Sequence, residues 1–330
     1  MGEVTIGLLF VLFLVLAAEF VNGWTDAPNA IATVVSTRVL APRTAVAMAT
    51  ILNTVGAMSG TAVAATIGKG IVTPQAINLV TVGASMVALI TWSTLAWRHG
   101  LPTSESHALV AGLTGASLAA AGPDVLLWAG WQKVLIGLLF STFLGFGAGF
   151  VLIVGIYWLF RRVHRGTIHR TFGRLQVFSA GFMAFSHGSN DGQKFIGVFA
   201  LALLLGGVLP EFHVSWWVVL LCSVVMGIGT SVGGWRIIRT LGVRMVKLET
   251  YHGFAAETGA AASIELASRL GIPVSTTHTI GTAIMGVGAA RKLSAVRWGV
   301  VGEVVGAWIL TFPVCGAIAF AIAWVLHRAL

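Results

Sequence analysis

The stretch Phe185–Lys194, F-S-H-G-S-N-D-G-Q-K, is polar, glycine-containing and charged, yet it lies between two nearly apolar runs, Leu175–Phe185 and Phe195–Val208. If those runs cross a membrane, Asp191 and Lys194 sit inside it. A charge there costs roughly 2.5–3.5 kcal/mol and marks a functional site. The stretch has an echo near the N-terminus. Val21–Asn29 reads V-N-G-W-T-D-A-P-N, again between apolar runs. Laid over one another, Gly23 meets Gly188, Thr25 meets Asn190, Asp26 meets Asp191 and Asn29 meets Lys194. Matching polar interruptions in two halves of a chain point to a binding site built from internal repeats.

Composition fixes the class. Of 330 residues, 57% are hydrophobic and 9% charged, with a mean hydropathy of +0.91. Soluble domains carry about 25% charged residues. Apolar runs of about 20 residues recur along the chain, as in an all-α polytopic membrane protein, and the short alternating segments of a β-barrel are absent. The first apolar run has no basic leader and no A-x-A site, so it reads as a retained span rather than a signal peptide. A net charge of +9 is better read as Lys and Arg gathered in cytoplasmic loops than as a nucleic-acid surface. Cys222 and Cys315 fall inside apolar runs with no metal or redox spacing, and read as small packing residues. No G-x-x-x-x-G-K-S/T, H-E-x-x-H or G-x-S-x-G occurs, which argues against an ATPase, an intramembrane hydrolase and an enzyme generally.

Outward from the two polar stretches, the chain reads as a doubled pattern. Val4–Leu40 is one span in two half-helices, broken at Asn22–Pro28. Ala45–Ile67 and Ile77–Trp97 are spans, Gly100–Ala121 opens G-L-P-T-S-E-S-H, and Trp131–Phe160 is a long tilted element. A basic loop, residues 161–174, ends the first half. Leu175–Val208, broken at His187–Gly192, starts the second; Ser215–Trp235 and Thr250–Leu270 follow, Gly271–Ala290 opens G-I-P-V-S-T-T-H, and Val296–Val325 closes. The predicted domains are residues 1–160, the loop, and 175–330. Five crossings per half put fifteen of the twenty Lys and Arg residues inside and four outside, the expected bias, with the central loop cytoplasmic. An odd number of crossings makes the repeats inverted in topology. Gly100–Ala121 and its twin are short and polar at the start, so each crosses or re-enters as a hairpin.

The two proline-led segments look like helix starts. Pro suits the first turn, Ser and Thr cap free N–H groups, and the positive end of the dipole attracts anions. Two such starts from inverted repeats face each other near the midplane; the plainer alternative is capping beside a packing His. Asp26 and Asp191 are acceptors in this anion site. That is consistent if they bind cations, or if the anion itself carries a proton. Hydrogen phosphate has a proton to donate and sulfate near neutral pH has none, which favours phosphate. Lys194 is either a direct counter-ion to the anion or an ion-pair partner of Asp191 three residues away. Glu257 is a candidate for proton or cation coupling, with pairing between helices as the alternative.

At these residues the sequence resembles the PiT family of inorganic phosphate transporters. The matching stretches are Asn22–Leu40, Ala184–Lys194, Gly100–Val110 and Gly271–Ile280, in order and spanning essentially the whole chain. The resemblance implies a symporter of inorganic phosphate in the cell (inner) membrane, driven by a proton or sodium gradient, usually as a homodimer, with no cofactor beyond the co-transported ion. It implies a substrate site of Asp26, Asn29, Ser104, Ser106, Asn190, Asp191, Ser275, Thr276 and Thr277, joined by Lys194 from the reading above. Coupling falls to Asp26, Asp191, Glu105 and Glu257, with sodium at Asp26 and Asp191 as one option. Three departures stand out: Thr25 replaces Asn of the first motif, Lys194 replaces a second Asn of sodium-coupled members, and Glu105 replaces a hydroxyl residue. Lys194 and Glu105 favour a proton. Sulfate permeation is the nearest alternative and an anion channel the next.

Overall fold

The computed structural model describes residues 5–329; residues 1–4 and 330, the outermost ends of the two expected halves, lie outside the described residues. The chain is helical, with two isolated β-bridges and no strand among the described residues. The helices are α1 (Ile6–Ser36), α2 (Pro42–Ala57), α3 (Ala62–Gly70), α4 (Leu79–Arg98), α5 (Glu105–Ala121), α6 (Trp128–Leu159), α7 (Arg165–Leu205), α8 (Trp216–Val232), α9 (Trp235–Arg239), α10 (Thr250–Arg269), α11 (Thr276–Arg291) and α12 (Trp298–Ala329). A π turn, Thr240–Arg244, extends α9. Helices α1, α4, α6 and α12 are each long and apolar enough to cross a membrane, and the bent pairs α2–α3 and α8–α9 qualify as two more. The protein is a multi-pass membrane protein. The other four expected segments, α5, α7, α10 and α11, are more polar or shorter and fall below that test. Outward faces of α6, such as Leu139, Phe140, Phe143 and Val151, are exposed and apolar, fit for lipid.

Three expectations are corrected. First, the polar stretches do not break their spans: α1 runs through Asn22–Pro28 and α7 through His187–Gly192 without interruption. Their polar side chains meet partners on neighbouring helices, so the backbone has no need to open. Second, the breaks lie in the next span of each half. Helix α2 turns 66° into α3, and α8 turns 60° into α9. At the second break Gly233 and Gly234 adopt φ +92° and +49°, a region open to glycine. A Cβ on Gly234 would lie 2.6 Å from Cδ of Pro28 and 2.8 Å from the Trp24 carbonyl. That carbonyl is the one a helical proline leaves without its usual N–H. Third, most of the expected basic loop 161–174 is helix, because α7 begins at Arg165.

Packing follows a doubled pattern. Helix α2 lies on α7 as α8 lies on α1, and α12 lies on α5 as α6 lies on α11. The α1–α8 and α2–α7 crossings are close because glycines sit in them. A Cβ on Gly23 would be 2.2 Å from the Met226 carbonyl, and one on Gly188 would be 2.1 Å from the Asn53 carbonyl. Small residues at membrane helix interfaces permit such approach. The α4–α5 and α10–α11 pairs are hairpins with matched turns. Each first helix ends in a Schellman motif: Leu101 N–H donates to Ala96 and Gly100 N–H to Trp97, and Ile272 N–H to Ala267 and Gly271 N–H to Ser268. Ser104 and Ser275 then cap α5 and α11 by accepting from the backbone of His107 (3.3 Å) and His278 (3.1 Å).

The basic residues sort by end. Arg98, Arg236, Arg239 and Arg244 line one groove, and Lys247, Arg291 and Lys292 line a second. Arg161, Arg165 and Arg291 line a third. Arg297 bridges the set by donating to the carbonyls of Val243 and Arg244. Lys69 and Lys133 share a different groove. Helix α4, about 30 Å long by its rise per residue, separates the Lys69 side from Arg98. Substituting Gly188→Val should force the α2–α7 crossing apart and cost about 1–3 kcal/mol, read as a lowered melting temperature in detergent. Gly147→Val, where nothing lies within 4 Å, should leave it unchanged.

Candidate functional site

The two hairpin turns bring the starts of α5 and α11 together. Ser106 Oγ donates to the Val274 carbonyl (2.8 Å), and Thr277 Oγ1 donates to the Thr103 carbonyl (3.0 Å). The rings of His107 and His278 lie 4.5 Å apart, and His278 stacks on Trp308. The backbone N–H groups of Glu105, Ser106, Thr276 and Thr277 have no acceptor among the described residues. Facing helix N-termini with unclaimed donors attract an anion.

Helices α1 and α7 lay their polar faces against these starts. Asp191 Oδ2 accepts from Thr276 Oγ1 at 2.8 Å, and Asp26 Oδ2 lies 3.4 Å from Thr277 Oγ1, whose single proton is directed to the nearer Thr103 carbonyl. Asn29 Nδ2 donates to Thr277 (2.9 Å) and to Thr276 (3.4 Å). Asn190 holds the α10–α11 turn. It donates to Ser268 Oγ (3.0 Å) and the Ile272 carbonyl (3.2 Å), and accepts from Val274 N–H (3.1 Å). Glu105 accepts from Thr25 (2.9 Å) and Ser93 (2.7 Å). Each of these side chains is buried.

Lys194 is fully enclosed. Its ammonium donates to Asp191, to Ser106 Oγ (2.5 Å) and to the Val274 carbonyl (2.8 Å). An ammonium has three donors, so all are used and none is left for an anion in this arrangement. Of the two roles open to it, the structure displays the ion pair with Asp191.

The expected site residues are thus gathered in one place, with one exception. Glu257 lies apart, accepting from Thr33, Ser179 and Gln176, while Asp26 and Asp191 stand with the helix starts. Ser104 and Ser275 serve as caps. His187, a polar residue of the same stretch that was given no role from sequence, places its Nε2 3.3 Å from Asp191 Oδ2 and 4.0 Å from Asp26 Oδ2. Its Nδ1 meets Asn53 Oδ1 at 3.2 Å. The signal was its spacing of four from Asp191, which shares a face only if the stretch stays helical. Asp26, His187 and Asp191 each offer one atom to a common point. A hard cation such as sodium seeks oxygen ligands; here His187 and Lys194 already face the carboxylates, so the set does not fit sodium as arranged.

A bundle of apolar helices around a buried, charged, two-sided polar knot defines a membrane carrier. The chain belongs to the phosphate transporter family, whose model matches residues 22–319. It is 44% identical over 303 residues to a probable low-affinity inorganic phosphate transporter of Rhizobium meliloti (strain 1021), covering 91% of each chain. It is 37% identical to a protein of Bacillus subtilis (strain 168) with the same description, covering 95% of this chain and 96% of that one. A solved structure described as the sodium-dependent phosphate transporter matches with a TM-score of 0.90 at 24% identity, over 99% of this chain and 100% of that one. The resemblance read from the motifs is borne out.

Removing Lys194 while Asp191 stays would strand a buried carboxylate beside His187. Lys194→Met should destabilise by about 3–5 kcal/mol. Adding Asp191→Asn should recover most of that loss, measured by thermal unfolding in detergent.

Proposed function

We propose that the protein is a secondary active symporter of inorganic phosphate, driven by a proton gradient across the cell membrane. The observation that carries this is the pairing of donors with acceptors. The unclaimed N–H groups of two facing helix starts, together with the hydroxyls of Thr276 and Thr277, stand beside the carboxylates of Asp26 and Asp191. Hydrogen phosphate both accepts and donates and can use the whole set; sulfate can use only the donors, and would leave buried acceptors unpaired. Family membership and the descriptions of the bacterial relatives support the same substrate.

Phosphate binds at Ser106, Thr276, Thr277 and Asn29, with Asp26 and Asp191 accepting its proton or sharing it. Ser104, Ser275 and Asn190 shape the two starts. Lys194 neutralises Asp191 and releases toward the anion as the site fills. Asp26 and Glu105 are the acid groups beside the site that Lys194 does not contact; Glu257, with three donors, is a further carboxyl on the coupling route. The set around Asp26 and Asp191 favours a proton over sodium. The halves 1–160 and 175–330 act as inverted repeats, and the doubled packing and matched hairpins support this. One bundle rocks against the other to expose the site alternately, with residues 161–174 on the cytoplasmic side. Two copies pair in the membrane through lipid-facing helices.

Purified protein in proteoliposomes should accumulate radiolabelled phosphate on an inward proton gradient with choline replacing sodium. A proton ionophore should abolish this, and excess sulfate should not compete. Asp191→Asn should insert normally and take up none. A requirement for sodium contradicts the coupling, and sulfate uptake without phosphate competition contradicts the substrate.

A further inference from the structure

Helix α1 presents a buried polar stripe through the core: Glu19, Asn22, Asp26, Asn29 and Thr33, spaced by three or four residues and so on one face. None is more than 3% exposed. Asp26 is the midpoint. Seven residues, about 10 Å of helix, separate it from Glu19 on one side. The same length separates it from Thr33, which donates to Glu257, on the other.

The three glutamates near this stripe differ in one respect. Glu257 accepts on both carboxylate oxygens, from Thr33 and Gln176 on Oε1 and from Ser179 on Oε2. Glu105 also accepts on both, from Thr25 and Ser93. Glu19, wholly buried, accepts on Oε2 alone, from Asn22 Nδ2 at 3.0 Å. Its Oε1 has no partner, and neither has Oδ1 of the same Asn22. Two orphan acceptors on two side chains already joined cannot satisfy each other. Exchanging the amide atoms of Asn22 does not help, since it strands a donor instead. A proton on Oε1 turns one of the two orphan acceptors into a donor, which the Asn22 amide oxygen can accept while the amide nitrogen still donates to Oε2. A bare carboxylate in that position is heavily penalised.

The charged and titratable groups that act on Glu19 from its neighbours are Asp191 and Lys194 on α7, Glu105 on α5 and Cys222 on α8. Helix α4, also packed on α1, has no titratable residue before Arg98. No basic side chain contacts Glu19 to hold it as an anion.

We infer that Glu19 is a proton-carrying site, loaded as a closed acid–amide pair with Asn22 between the N-terminal end of α1 and the Asp26 centre. This rests on the proton-symport reading. Protonation of Oε1 closes the pair; its loss leaves a carboxylate the site cannot solvate, so release is coupled to a rearrangement that admits water or Asp26. Glu19 is the one of the three with an oxygen left unpaired, whereas both oxygens of Glu257 are occupied.

Two measurements test it. Carbodiimides attack protonated carboxyls in apolar surroundings. Wild-type protein treated with dicyclohexylcarbodiimide and mapped by mass spectrometry should be modified at Glu19, less so as pH rises, and not at Glu257. Absence of label on Glu19, or label independent of pH, overturns the inference. In proteoliposomes Glu19→Gln, which keeps the amide contact, should lose at least about tenfold of proton-driven accumulation while phosphate–phosphate exchange persists. Unchanged proton-driven accumulation overturns it. If exchange is lost too, the labelling result decides. Wild-type protein that ignores the proton gradient refutes proton symport itself, an outcome distinct from either failure at Glu19.

Discussion

A lysine enclosed in a membrane protein must have its charge answered from within, and Lys194 has it answered from three elements at once. Its ammonium ties α7, through Asp191, to the start of α5, through Ser106, and to the turn before α11, through Val274. Loss of any one partner strands a charge or a carbonyl in a medium that cannot solvate it. The two helix starts are therefore held face to face by electrostatics as much as by packing. The same contact holds the two starts, with their four unclaimed backbone N–H groups, against one another.

That arrangement needs the surrounding helices to come unusually close. Gly23 and Gly188 let α8 and α2 press against the polar faces of α1 and α7. Asn53 then reaches His187, and Thr230 reaches Asn53 (3.0 Å). The hairpin turns, each built on a glycine of positive φ and a serine cap, deliver the motifs from opposite halves. Close backbone packing and polar satisfaction support each other here, as they must where water is absent.

Much of this was legible in the residues. The four motifs could be recognised, the two-fold spacing could be laid over itself, and the basic residues predicted which segments share an end. The caps Ser104 and Ser275 followed from local chemistry. The misplaced breaks had one cause. Glycine, Asn, Asp and Pro28 together read as helix breakers, but a buried helix whose polar side chains find partners has no reason to unwind. The breaks fell instead at Met58–Thr61 and Gly233–Gly234, in spans whose mean composition is plainly apolar. Reading α7 as broken also hid His187, whose place beside Asp191 depends on a continuous helical turn. The saturation of Lys194 and the orphan oxygen of Glu19 are properties of three-dimensional neighbours, and no local pattern in the chain encodes them.

The central claim is that one anion site forms between the starts of α5 and α11, against Asp26 and Asp191. Structure determination of the protein in a lipid nanodisc with phosphate tests it most directly. The account predicts tetrahedral density within hydrogen-bond reach of Thr276, Thr277 and Ser106, and Lys194 turned from Ser106 toward it. Phosphate bound elsewhere, with Lys194 still on its three acceptors and the two starts unfilled, would contradict it.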